Sequence, residues 1–150
     1  MSQALQSLLV ATDFSEGSDE ALDRAIELGR QTGATLDLLH VVEAPADGFP
    51  FGPAYTDGAA FAGYIEHELA RRAARVAVAG LACHTLSVEG GAATEIVARA
   101  RAIGAGLVVV GTHGRRGLAH ILLGSVAERV VQHAGCPVLT VPFSRSRKAA

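Results

Sequence analysis

Two segments of this sequence carry residue types that do chemistry. The longer is Gly111-Thr112-His113-Gly114-Arg115-Arg116-Gly117, then Leu118–Leu123, then Gly124-Ser125. Glycines let backbone N–H groups come close to a ligand. A helix opening at Gly124 and Ser125 adds unsatisfied N–H donors and the positive end of its dipole. Together these make an anion site, most naturally for phosphate. The Ser125 hydroxyl can donate, and Arg115 or Arg116 can neutralise charge. The plain alternative is a glycine-rich connection with Ser125 as an N-cap, because loose glycine spacings recur by chance. The shorter segment is Ala11-Thr12-Asp13-Phe14-Ser15. An acid there can meet a ribose hydroxyl or a metal ion carried by phosphates. Its commoner fate is an Asx turn or a cap.

Magnitudes limit what such a site achieves. A helix dipole contributes about 0.3–2 kcal/mol, and each hydrogen bond to a charged group about 1.5–3 kcal/mol. Association costs about 4–15 kcal/mol. Phosphate contacts alone would barely hold a ligand, whereas burying an adenine as well brings affinity to about micromolar.

The elements that must position these segments are legible. Apolar runs at Leu8–Thr12, Thr35–Val42, His84–Val88, Leu107–Gly111 and Val138–Val141 lack polar alternation in several cases, as strands buried on both faces do. Helical periodicity lies between them. Ser18–Arg30 puts Leu22, Ala25, Ile26 and Gly29 on one face, with Gly33 as a stop. Ala59–Val78 is expected to turn Glu66, Glu68, Arg71, Arg72 and Arg75 to water. Thr94–Ile103 has Ile96, Val97, Ala100 and Ile103 inward, with Gly104 ending it. Gly124–His133 has Val126, Ala127 and Val130 inward, with Gly135 and Pro137 beyond it. The alternation β-α-β-α-β-α-β-α-β predicts an α/β fold with an open parallel sheet. Ligands of such sheets sit at the carboxyl ends of strands, where strand order reverses. Both chemical segments follow strands, and order 3-2-1-4-5 makes their strands neighbours.

The 150 residues are 49% hydrophobic and 19% charged, which excludes disorder and suits one domain. No linker or repeat divides the chain; the core is expected over about 6–142, with 143–150 a frayed tail. Lys and Arg number 13 against 15 Asp and Glu, a net charge of −2 that gives no footprint for nucleic acid or anionic membrane. The apolar runs fall short of the ~20 residues of a membrane helix. Cys83 and Cys136 suit neither a disulfide framework nor a zinc cluster, and the start lacks signal-peptide character. The expected compartment is the cytoplasm. The six histidines form no ligand set: His67 lacks a helical partner, and His113 and His120 lack a third ligand. His40 reads as a packed or partly solvated core residue, and Cys136 as buried and inert.

The chain resembles the universal stress proteins of the nucleotide-binding subgroup. The carrying residues are Val10-Ala11-Thr12-Asp13-Phe14-Ser15, Leu39-His40-Val41-Val42, Cys136-Pro137-Val138-Leu139-Thr140-Val141, and the spacing G-x2-G-x9-G-S from Gly111 to Ser125. The resemblance runs from about Leu8 to Pro142. It implies a five-stranded Rossmann-like sheet of order 3-2-1-4-5 with helices on both faces, akin to the adenine nucleotide α-hydrolase fold. It also implies ATP in the crevice, with Mg or Mn, and a homodimer through Val138–Val141. Residue by residue it puts Ala11, Thr12 and Asp13 beside the nucleoside, and the Val41 backbone at the adenine edge. Gly111 and Gly114 approach ribose and phosphates, and Gly124, Ser125 and Val126 hold the phosphates; His113 and Arg115, in the same segment, are counted with the nucleotide-binding residues. Asp13 can also meet a nucleotide-bound Mg. Ala11 stands where members often have Pro, and the segment Glu43–Gly58, with Pro45, Pro50 and Pro53, varies in the family.

The P-loop pattern G-x4-G-K-[ST] is absent, so no lysine is placed over the β/γ-phosphates. Slow hydrolysis at most is expected, and no catalytic residue is assigned. The expected role is a nucleotide-responsive regulator of stress response. Two alternatives are a nucleotide-independent interaction module of the same fold and an adenylating enzyme of the related α/β class. The latter needs an S-G-G-x-D-S turn, where this chain has Asp13-Phe14-Ser15-Glu16-Gly17-Ser18.

Overall fold

A computed structural model describes residues 5–44, 58–112 and 123–144. Its elements are β1 (Ser7–Ala11), α1 (Glu16–Thr32), β2 (Thr35–Val42), α2 (Gly58–Val78), β3 (Cys83–Glu89), α3 (Ala92–Ile103), β4 (Leu107–Gly111), α4 (Ser125–His133) and β5 (Val138–Val141). The sheet is parallel, in the order β3-β2-β1-β4-β5. Fold class and strand order are those expected from the sequence.

The sheet separates two cores, as the two-residue alternation of each strand requires. Leu8 and Val10 of β1 face Leu22, Ala25, Ile65, Leu69 and Val76 of α1 and α2. Leu9 faces the opposite layer, with Ile96, Ala100, Ala127 and Val130 of α3 and α4. Leu8, Leu9 and Val10 are wholly buried, which accounts for a strand without polar alternation.

Boundaries follow local chemistry. Helix α1 starts after Ser15, whose side chain accepts the Ser18 N–H, and it ends at Gly33 in the left-handed region (φ 74°) with its N–H on Gly29 O. Thr12 lies outside β1, although its N–H continues the ladder to Leu39 O at 2.9 Å. Gly124 is the N-cap of α4 rather than its first helical residue.

One expectation fails at two residues of α2. The Glu68 side chain is only 14% exposed. Arg72 does not face water: it is 2% exposed. Its neighbours Arg71 and Arg75 do lie on the wet side. The reason is an acidic partner on another helix, described below.

Candidate functional site

Strand order reverses between β1 and β4, so a crevice is expected beyond Ala11 and Gly111. Register places Val10 beside Val109, and hence the segments that follow the two strands beside each other. The geometry extends to β2. Leu39 O bonds the Thr12 N–H of the first segment, while Val42 O bonds Gly90 N beyond β3. By alternation Val41 turns its backbone the way Leu39 does, toward β1, but past the point where β1 has ended. Its N–H and C=O therefore border the crevice.

On the other lip, Gly124 N donates to Thr112 O at 2.8 Å, and Thr112 N donates to Val141 O at 3.0 Å. This pins the start of α4 to the end of β4. Both glycines of that junction are required by packing. A Cβ on Gly111 would lie 3.0 Å from Gly17 O, and one on Gly124 would lie 2.8 Å from Thr112 O. Backbone atoms cannot swing aside, so a side chain at either position forces the chain apart.

Helices α1, α3 and α4 begin near the carboxyl ends of the strands, and their first amides are served differently. Ser15 caps α1. Glu43, just past β2, accepts Ala92 N at 2.9 Å and so caps α3 with a carboxylate. At α4 the cap is Gly124, and among the described residues no side chain bonds the first amides of that helix. Ser125 is exposed, Gly124 and Val126 are half-buried, and all stand at that helix start. His113, Gly114 and Arg115 lie outside the described residues.

The β1–α1 turn is a closed hydrogen-bond network. Asp13 Oδ1 accepts Ser15 N at 2.9 Å and is also bonded by Ser15 Oγ. Asp13 thus forms the Asx turn that was its commoner alternative. Thr12 is 5% exposed. Its hydroxyl accepts Phe14 N at 3.1 Å. Ser18 Oγ donates to Ser15 O at 2.9 Å, so in the 3.1 Å Thr12–Ser18 pair the Thr12 hydroxyl is the donor. Thr12 O accepts His40 Nδ1 at 2.8 Å, which puts a proton on that ring nitrogen. Every polar group of Thr12 has a protein partner: the residue builds the turn.

Phe14 is a surprise of this turn. Among the described residues it is the non-glycine residue with positive φ, at 65°. A bulky side chain there is a genuine outlier, with a cost of about 1–3 kcal/mol that the surroundings must offset. Its ring stacks on His40 at 4.1 Å and 17°, meets Tyr64 edge-on at 6.0 Å, and has the Arg72 guanidinium 4.8 Å from its centroid. Arg72 NH2 donates to Phe14 O at 3.1 Å. Arg72 is salt-bridged to Asp19 at 2.7 Å and to Glu68 at 2.6 Å. Its hydrogen bond holds the Glu68 carboxyl below the ordinary range, against burial acting the other way. Sequence reasoning missed Phe14 and Arg72 as site-supporting residues.

Elsewhere the signals are structural. His40 is buried, as expected. Cys136 is half-buried, with its thiol pushed up by burial. Among the described residues no group of three or more His, Cys, Asp or Glu could hold a metal ion, and no helix is long and apolar enough to cross a membrane.

Comparison with known proteins agrees with this architecture. The model of the Universal stress protein family matches residues 5–142. Universal stress protein MJ0531 of Methanocaldococcus jannaschii is 36% identical over 138 residues, spanning 91% of this chain and 81% of that protein. The structure of hypothetical protein MJ0577 superposes with a TM-score of 0.83 at 25% identity, covering 95% of this chain and 99% of that one. A crystal structure of a universal stress protein in complex with cAMP gives 0.72 at 28% identity, covering 95% and 100%. The order β3-β2-β1-β4-β5 and the match over 5–142 have one reading: this chain belongs to the universal stress protein family.

Proposed function

We propose that the chain binds ATP, carried with Mg or Mn, at the β1/β4 crevice and acts as a nucleotide-responsive regulator in stress response. The observation that carries this reading is the start of α4: Ser15 caps α1 and Glu43 caps α3, while among the described residues no side chain caps the first amides of α4. The protein's own groups satisfy the other two, so the remaining positive end suits an anion. In this reading Gly124, Ser125 and Val126 take the phosphates, with Gly111, His113, Gly114 and Arg115 along ribose and phosphates. The outward backbone of Val41 meets the adenine edge, and Ala11, Thr12 and Asp13 stand beside the nucleoside. In this reading Asp13, whose Oδ1 also closes the Asx turn, acts on a ribose hydroxyl or a bound Mg. A relative solved in complex with cAMP supports the class of ligand.

The test is calorimetric titration with ATP, ADP, AMP and cAMP. Ser125→Ala is the informative variant, because an exposed hydroxyl at the helix start is removed without touching the Gly124–Thr112 junction. Micromolar ATP binding, weakened by about tenfold or more in Ser125→Ala, is expected. No binding at millimolar nucleotide overturns the reading.

A second reading has its own support. Gly111, Gly124 and Asp13 each have a packing or turn role, so these residues alone do not require a ligand. That favours an interaction module working without nucleotide, which mass spectrometry of the purified protein separates by the nucleotide it carries or lacks. We further propose one cytoplasmic domain, with a core over about 6–142, and a homodimer through β5. Pro137 O and Val141 O accept bonds from the β4 side, so by alternation Val138 and Thr140 turn their backbone groups outward at the sheet edge. Pairing with a second copy would satisfy them.

A further inference from the structure

The guanidinium of Arg72 does more than tie α2 to α1. Its five N–H donors match five bonds: Nε to Asp19 Oδ1 (2.7 Å), NH1 to Glu68 Oε2 (2.6 Å) and Glu68 O (3.2 Å), and NH2 to Asp19 Oδ2 (3.2 Å) and Phe14 O (3.1 Å). The last bond falls on the Phe14–Ser15 peptide unit. The N–H of that same unit is the one Asp13 Oδ1 grips at 2.9 Å. A peptide unit is planar and rigid. Arg72 and Asp13 therefore hold opposite ends of one plate, and the angle of the plate sets where the Asp13 carboxylate points. The plate needs holding, because Phe14 sits at φ 65°, a region a bulky residue leaves when released.

We propose that Arg72 is a positioning residue for the nucleotide crevice: it keeps Phe14 left-handed and thereby aims Asp13. This rests on the nucleotide reading above. Lysine cannot take over the task, since one ammonium with three donors cannot span Asp19, Glu68 and Phe14 O together. Arg75 is the natural control: it too bridges α2 to α1, by a hydrogen bond to Asp23 and a longer 3.9 Å approach to Asp19, without touching Phe14.

The experiment compares the parent with Arg72→Lys and Arg75→Met, each also in a Phe14→Asn background, by ATP calorimetry and by hydrogen exchange of the Ser15 amide without nucleotide. Asparagine adopts positive φ readily, so it removes the need for the clamp. Arg72→Lys is expected to weaken ATP about ten- to a hundredfold, the equivalent of one hydrogen bond to a charged group. In the Phe14→Asn background the same change is expected to cost less than about threefold, and Arg75→Met to leave affinity within about twofold. Parent-like affinity of Arg72→Lys overturns the proposal, as does an undiminished loss in the Phe14→Asn background, which marks Arg72 as a strut only. Should Arg72→Lys not fold, the parent alone decides: ATP must shift the Arg72 guanidinium and Phe14 carbonyl resonances, and unmoved resonances overturn the idea. Should the parent bind no nucleotide, the nucleotide reading fails and the aiming role with it. Faster Ser15 exchange in Arg72→Lys then identifies the site reading, not the clamp geometry, as the error.

Discussion

The Gly124–Thr112 junction allows a sharp test of how the site is built. In Gly124→Ala the new Cβ would stand 2.8 Å from Thr112 O, well inside contact distance. The obstacle is a carbonyl already tied down, since Thr112 O accepts Gly124 N and Thr112 N bonds Val141 O. Relief requires α4 to back away from β4, which strains a core where Ala127 and Val130 are buried. Forced overpacking of this kind costs about 1–3 kcal/mol. For a chain of this length that is a fall in melting temperature of about 2–12 °C. The assay is urea unfolding followed by circular dichroism, with the melting curve as a check. Two other glycines bracket the result. Gly91→Ala should cost less than about 1 kcal/mol, the loss of a preferred N-cap residue of α3, because its Cβ meets nothing closer than Thr94 Oγ1 at 3.6 Å. Gly63→Ala should stabilise by about 0.5–1 kcal/mol, because it lies in α2 with no atom within 4 Å of its Cβ. A Gly124→Ala protein within about 0.5 kcal/mol of the parent refutes the reasoning. The result also warns against using this glycine to test ligand binding, since affinity lost there follows from the displaced helix as much as from a blocked phosphate.

Further outcomes follow from other features. Glu68 has its carboxyl held below its ordinary 4.5. The unfolded chain takes up that proton first, so this stability is whole above about pH 4.5 and is lost as pH falls through the lower native value. Urea midpoints against pH should therefore decline less steeply on the acid side in Glu68→Gln than in the parent. Asp23 works in reverse, because burial outweighs Arg75 and raises its carboxyl above 3.8, so its share is lost as pH rises. The Cys83 thiol is pushed up to about 11, by burial first and the Asp37 charge second. At pH 8 its labelling by a disulfide reagent should run about tenfold or more slower than that of a free thiol, since the scarcer thiolate is also the more nucleophilic one, and Asp37→Asn should recover only the smaller part. A native rate equal to that of the unfolded chain contradicts this. Thr140→Pro removes an outward N–H of β5 without taking a bond from β4, so under the proposed β5 pairing the parent should sediment as dimers and the variant as monomers, at an unchanged far-ultraviolet spectrum.

Much of the architecture was legible because the strands are short and bounded by turn residues, the central ones apolar, and each helix shows its buried stripe. The ends were less so. Thr12 reads as strand because it is β-branched and follows Val10, yet its side chain belongs to the turn. Arg72 was illegible for a reason of distance. Glu68, Arg71, Arg72 and Arg75 look like an ordinary solvated face, and the carboxylate that draws Arg72 inward lies 53 residues away on α1. At the site, glycine spacing pointed to the right junction but not to its cause: the Gly17 carbonyl behind Gly111 is visible only once β4 and α1 are packed together. Nothing in the types Asp13-Phe14-Ser15 announces a left-handed phenylalanine; that is set by Arg72, His40 and Tyr64, all distant in sequence.

The two rims of the sheet are unlike. At one border β3 shows water His84, Thr85, Ser87 and Glu89, side chains that keep a strand rim inert. At the other, β5 offers Val138, Leu139 and Thr140 only half covered. A molecule with one adhesive margin and one inert margin joins a copy of itself head to head and then has nothing left to grow from. Self-association through this sheet would thus be capped at a pair, and a chain given an apolar β3 rim would acquire the second adhesive end from which fibres are made.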